Sequence, residues 1–387
     1  MVPKGWSEHT LDDLALVERG KFSVRPRNDP RYYGGDMPFV QTGDVTSSGT
    51  YLKSFSQTLN ENGIGVSKVF PKNTILITIA ANIGDTAITT FEVACPDSVV
   101  AIQPYKHVAD VYWLKKYLET RKTDLDAQST QNAQKNINLQ VLKPLLILTP
   151  PYAEQKKIAQ ILLAWDKAIS VTEKLLANSQ QQKKALVQQL LTGKKRLLDE
   201  NGERFSGEWR NSTLSMFCNI AKGKALSASD LEVGDFPVIA GGKSSPYSHS
   251  DYTHENVVTV SASGAYAGYI SYHNYKIWAS DCSVVSAKAD NLIDYFYQLL
   301  LSLQDKIYSL QSGGAQPHIY PKDLNSIPLW VPCVKEQQKI ATVLFAADAE
   351  VSMLEKKLAC LRDEKKALMQ QLLTGKRRVK VDEAVAE

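Results

Sequence analysis

Apolar residues recur three and four positions apart between Pro150 and Arg196: Ile158, Ile161, Leu162, Trp165, Ile169, Leu175, Leu176, Leu186 and Leu190, with polar residues filling the gaps. That spacing predicts one long helix with a single apolar stripe. The pattern returns between Pro332 and Arg378 through Ile340, Val343, Leu344, Val351, Leu354, Leu358, Leu361, Leu368 and Leu372. The two stretches align without a gap, and roughly 26 of about 47 positions are identical, far beyond chance. Prolines stand at each start (Pro150, Pro151; Pro332). Gly193 and Gly375 follow each stripe beside basic residues, as helix C-termini favour. About 40 residues at about 1.5 Å each make a rod of roughly 60 Å. No ordinary domain core covers such a rod. Its stripe approximates a heptad, so the natural partner is the other copy. Thr172, Ser179 and Gln182 interrupt the first stripe, which predicts imperfect coiled-coil packing there.

Ahead of each rod the period changes. The runs MPFVQTGDV, KVFPKNTILITIA, TAITTFEVA and SVVAIQP read as strands, and VYWLKKYLETRKTDL as a helix. The second half repeats this order: FPVIAGG answers MPFVQTG, SDCSVVSA answers CPDSVVAI, and NLIDYFYQLLLSLQDKIYSL supplies the helix. Two α+β domains of one fold follow, each a small, twisted, mixed sheet with a helix against it. The expected division is domain one over 1–149, rod one over 150–196, domain two over 197–331, rod two over 332–378, and a tail over 379–387. Matching halves imply a pseudo-two-fold arrangement with the rods antiparallel.

Composition narrows the class. The chain of 387 residues has length for two or three domains. It has no apolar run of membrane-spanning length, and MVPKGWSEHT lacks a signal-peptide core. Five scattered cysteines without a CxxC fit reduced thiols in a cytoplasm. A net charge of +4 permits nucleic-acid binding without demanding it.

The doubled segment carries an EQ-x-K-I-A element (Glu154, Gln155, Lys157, Ile158, Ala159; Glu336, Gln337, Lys339, Ile340, Ala341) and an LLTGK element (Leu190 to Lys194; Leu372 to Lys376). With these elements it resembles the specificity (S) subunit of type I restriction-modification systems. The resemblance spans essentially the whole chain. It implies that each variable domain is a target recognition domain reading one half of a split double-stranded DNA sequence. It also implies that the helices pair antiparallel as a spacer and dock two modification subunits, which methylate adenine with S-adenosylmethionine. Restriction subunits, where added, cut DNA with ATP and Mg. Cys333 departs from the pattern, standing where the first copy has Pro151; this is expected to soften the helix entry and leave the role unchanged.

Phosphates need cations, and base edges need planar or amide side chains. On that basis the first domain offers Lys21, Arg25, Arg27, Arg31, Tyr32, Gln41, Thr42 and Asn82, and the second offers Lys222, Lys224, Lys243, Ser244, Ser245, Tyr247 and Tyr266. Each set can equally be a solvated polar loop. Rod pairing and partner docking are expected from Glu154, Gln155, Ile158, Leu162, Trp165, Leu190 and Leu191, and from Glu336, Gln337, Ile340, Leu344, Leu372 and Leu373. The rod charges, Lys183 and Lys365 among them, read as a solvated face. Arg196 and Arg378 read as complements to a helix end or as phosphate contacts.

A catalytic reading finds little. Thr149-Pro150-Pro151-Tyr152 approaches the (D/N/S)PP(Y/F) motif of amino-methyltransferases, but Thr stands first and no glycine-rich cofactor loop precedes it. Gly242-Lys243-Ser244 lacks the first glycine of a phosphate loop. No metal-ligand spacing is present. The chain reads as non-catalytic by itself. The alternative is a duplicated coiled-coil scaffold or a DNA-binding adaptor outside restriction-modification.

Overall fold

The computed structural model describes residues 2–129, 136–243, 247–313 and 316–381. The chain divides into two units: Met1–Val171 with Leu358–Glu387, and Thr172–Lys357. The rods are helices of 39 residues, Tyr152–Leu190 and Val334–Leu372. Each therefore lends one half to each unit.

In the first unit a mixed five-stranded sheet runs in the order Ala15–Arg19, Val99–Pro104, Ile75–Thr78, Thr86–Thr89, Tyr51–Leu52. Alternate residues leave opposite faces of a strand. Ile75, Ile77, Val100 and Ile102 pack with Trp113, Leu114 and Leu118 around the helix Val111–Thr120. Leu76, Ala87, Val99 and Ala101 pack on the other face against Val40, Leu52, Phe70 and Cys95. Burial on both faces is why these strands are continuously apolar. A second sheet, ordered Gln57–Leu59, Tyr33–Phe39, Val93–Ala94, Val69–Phe70, encloses a small aromatic core in which the Phe22 and Phe39 rings lie 5.0 Å apart.

The second unit repeats the plan. Cys218–Lys222, Cys282–Ala287, Val257–Ser261 and Ile270–His273 form an antiparallel sheet packed against the helix Ile293–Ser302. Ser248–His249, Phe236–Ile239 and Trp278–Ala279 form a smaller mixed one. Each domain thus carries two sheets where one was expected. In each, a two-stranded ribbon (Ser7–Thr10 with Leu146–Thr149; Arg210–Thr213 with Pro328–Val331) ties the start of the domain to the strand leading into its rod. The run MPFVQTGDV is a strand only as far as Phe39. Thr42–Ser47 is helical, because the Asp44 carboxylate takes the Gln41 N–H at 2.8 Å and caps a turn.

Within each unit the rod halves run antiparallel. In the first, Ile158 and Leu162, near the start of one rod, share a core with Leu368, Leu372 and Leu373, near the end of the other. In the second, Leu186, Leu190 and Leu191 pack with Ile340, Ala341 and Leu344. Each of the fully buried leucines and isoleucines among these contributes about 1.5–3 kcal/mol. The seam corrects the expected stripe. Leu175 is 48% exposed, whereas Thr172 and Ser179 are buried at 4% and 8%. Gln182 is exposed and off the seam. The seam therefore runs Ile158, Leu162, Trp165, Ile169, Thr172, Leu176, Ser179, Lys183, Leu186, Leu190 with strict four-three spacing. Trp165 is half-buried on it.

Candidate nucleic-acid interface

Both candidate surfaces begin at a glycine that nothing else can replace. A Cβ on Gly20 would lie 2.3 Å from the Pro96 carbonyl oxygen, and one on Gly223 would lie 2.3 Å from that of Ser280. The chain thus crosses the end of the central strand before its polar loop departs.

In the first domain three of the four expected cations are already held. The Arg25 guanidinium donates to the carbonyls of Phe22 (3.2 Å) and Val24 (2.8 Å). Arg27 Nη2 donates to both Asp97 carboxylate oxygens, at 2.6 and 2.8 Å. Arg31 forks onto Asp29, and this pairing lowers the Asp29 pKa and raises that of Arg31. Lys21 is exposed. Tyr32 packs edge-on against Phe22, so its ring belongs largely to the aromatic core. Thr42 opens the capped helix. Asn82 is exposed, with Nδ2 3.4 Å from Thr46 Oγ1. A groove of about 460 Å³ gathers Arg27 and Gln41 with Phe22, Tyr33 and Gln57. Lys21 and Asn82 do not line it.

In the second domain two of the three expected cations lie over rings instead of beside carboxylates. Lys224 Nζ sits 4.9 Å from the Trp278 ring centre. Lys243 Nζ sits 5.5 Å from Tyr266 and 5.7 Å from Tyr269, at a groove of about 410 Å³ that Tyr272, His273 and Tyr275 also line. Burial pushes the His273 imidazole down to about 4, so this groove carries a neutral histidine near neutral pH. Lys222 and Tyr247 are exposed, and Tyr266 stands in a short turn, Gly264–Tyr266. Ser244 and Ser245 lie outside the described residues.

The rod entrances are built twice from the same parts. Gln155 Oε1 accepts the Asp110 N–H (2.8 Å), and its Nε2 donates to the Val108 and Pro150 carbonyls (3.0 Å each). Gln337 does the same with the Leu292 N–H (2.9 Å), the Pro332 carbonyl (3.0 Å) and Asn291 (3.2 Å). These side chains are buried and lock each rod to its own domain. Glu154 and Glu336 are buried too, gripped by Arg378 and Arg196 respectively. Arg196 and Arg378 therefore do not cap their own helices, and Arg378 keeps a partly exposed side chain. Each pins the end of one rod to the start of the other, beneath Trp209 and Trp6 respectively.

Sequence reasoning missed the charges on the seam. Asp166 accepts from Tyr112 (2.6 Å) and Thr50 (3.0 Å) and pairs with Lys116 (3.2 Å) and Lys365. Burial alone would raise its pKa, but Lys116, Lys365 and Tyr112 together hold the carboxyl well below the usual range. Its counterpart Asp348 pairs with Lys183 and accepts from Gln298 (2.7 Å). Lys183 and Lys365 thus sit on the seam, not on a solvated face. The signal was available: both Asp and both Lys recur at the same positions of the repeat. Gln57 was missed as well, an exposed strand residue with no motif around it.

The family model for the type I restriction modification DNA specificity domain matches residues 3–178 and 206–361. The chain belongs to that family, and it is a type I restriction-modification specificity subunit. A putative type I restriction enzyme MjaX specificity subunit of Methanocaldococcus jannaschii is 27% identical, over 98% of this chain and 95% of its own length. The EcoprrI specificity subunit of Escherichia coli is 22% identical, over 81% and 80%. Among solved structures, a type I S subunit from M. genitalium superposes with a TM-score of 0.67 at 19% identity, covering 95% of this chain and 96% of that one. Among the described residues no helix is long and apolar enough to cross a membrane.

Proposed function

We propose that this chain reads a bipartite, asymmetric double-stranded DNA target whose central base pairs go unread. In this reading the two domains contact separate half-sites, and the paired rods set their separation. The observation that carries it is the repeat itself: two antiparallel rod segments with the same end-clasps, joined to two domains of one fold but unlike surfaces. A rod of 39 residues measures about 58 Å, which spans more than one 34 Å turn of B-DNA.

The chain acts as a non-catalytic cytoplasmic subunit in this proposal. It docks two adenine methyltransferase (modification) subunits, which bring S-adenosylmethionine, and restriction subunits that use ATP and Mg. Lys21 and Lys222, exposed beside Gly20 and Gly223 respectively, serve as phosphate contacts; the amides and the ring-held cations serve base recognition. The buried Glu154, Gln155, Glu336 and Gln337 organise the docking surface from within. Exposed apolar residues such as Val171 and its counterpart Met353 meet the partner.

The test is co-expression with the cognate modification subunit, followed by genome-wide mapping of methylated adenines. A motif of two short blocks separated by a fixed gap is expected. Methylation at one continuous motif, or none in the presence of a folded complex, supports the scaffold reading instead.

A further inference from the structure

Gln41 and Gln57 form a locked amide pair at the mouth of the first-domain groove. Gln41 Nε2 donates to Gln57 Oε1 at 3.0 Å. Gln41 is half-buried at the start of the helix Thr42–Ser47, its N–H held by Asp44 Oδ2 at 2.8 Å. The same Asp44 oxygen accepts from Ser56 Oγ at 3.0 Å, so one carboxylate steadies the backbone beside both glutamines. The rings of Phe22, Tyr33 and Phe39 line the groove beside them, and Arg27, held by Asp97, completes it. One N–H and one amide oxygen are used in the pair. The Gln41 oxygen, which also faces the Asp44 N–H in the capping box, keeps one lone pair, and the Gln57 NH₂ is left over.

We propose that this pair is the specificity-determining contact for one A·T base pair in the half-site read by the first domain. The inference rests on the DNA-reading function proposed above and adds which side chains read which base. Adenine shows one acceptor (N7) and one donor (N6) in the major groove, the complement of a single buttressed amide. Thymine adds a methyl group, which the groove's aromatic lining suits. Guanine shows two acceptors there, so a G·C pair leaves the Gln41 oxygen facing an acceptor. Fixing the amides in advance removes the rotamer entropy that free glutamines lose on binding. The second domain cannot make this contact, because Ala240 occupies the position of Gln41.

The experiment uses the full chain assembled with its modification subunits. Competing duplexes carry the methylated motif with each base pair exchanged in turn. The wild-type complex is expected to discriminate one A·T pair in one half-site by about 10- to 100-fold. Gln41→Ala and Gln57→Ala should reduce that ratio below about threefold and leave the other half-site unchanged, which also reports that the complex is folded. Gln57→Glu, of the same shape but without donors, should also lose the adenine preference. Wild-type discrimination at every position in all three variants would overturn the assignment, as would a uniform loss at all positions in Gln57→Glu. If the wild-type complex selects no sequence at all, the DNA-reading function itself fails, a result distinct from either.

Discussion

Arg378 closes on Glu154 through two hydrogen bonds of 2.8 Å, and Arg196 closes on Glu336 in the same way at 2.6 and 2.7 Å. The four residues occupy equivalent positions of the repeat. The segment just after each rod is thereby fastened to the first turn of the other.

The two clasps differ in what remains when the arginine is lost. Glu336 is fully buried, so Arg196→Ala strands a charge and should cost about 3–5 kcal/mol. Glu154 would keep its hydrogen bond from Trp6 Nε1 at 3.1 Å, and Arg378 is itself 41% exposed. Arg378→Ala should therefore cost less, about 1–2 kcal/mol after allowance for solvent screening. Urea unfolding of the two variants, followed by far-UV circular dichroism, gives the order; equal losses would contradict the asymmetry.

Asp166 gives a pH signature. Its carboxyl is depressed in the folded chain, so its stabilising effect is complete above the ordinary carboxylate value and is lost as pH falls below it. Asp166→Asn should destabilise by about 2–4 kcal/mol at neutral pH, because Lys116 and Lys365 lose their common anion. The gap between wild type and variant should narrow by about 1.4 kcal/mol per pH unit below about pH 4. Denaturant titrations at pH 3 and pH 7 measure it, and a gap that does not change with pH would speak against the network.

Lys115, buried beside the same network, titrates the other way. Burial pushes its ammonium down to about 8, against the pull of Glu119. The unfolded chain binds the extra proton between about pH 8 and the ordinary lysine value. Stability from this group should therefore rise with pH across that window. Lys115→Met should remove this rise, as thermal melts at pH 7.5 and 9.5 would show.

Lys21 and Lys222 are assigned to phosphates and not to bases. Replacing either by Ala should weaken binding to all duplexes alike and reduce the slope of log K against log salt by about one unit. A change in sequence preference with an unaltered salt slope would reverse the assignment.

The rods were legible because repetition and helical period gave the same answer twice. The seam's details were not, since Lys183 and Lys365 read as solvent-facing until their partners Asp348 and Asp166 are seen across the pairing. Strand order was hidden for a physical reason. Ile75–Thr78 and Val99–Pro104 are buried on both faces, and an apolar run without alternation does not say which neighbour it meets. The groove depended on contacts far apart in the chain: Arg27 finds Asp97 seventy residues away, and Gln41 finds Gln57 sixteen residues away, past a helix and a strand.

In the proposed function the rods fix the distance between the two DNA-reading domains. An insertion beside Gly193 would test it poorly, because it would draw Arg196 away from Glu336. Duplicating one heptad in both rods, Thr172–Asn178 and Leu354–Cys360, keeps the seam in phase and lengthens each by about 10 Å. Methylated-adenine mapping of that variant, with its modification subunit, should return the same two half-sites with the gap wider by about three base pairs. The same half-sites at the original gap would contradict the account.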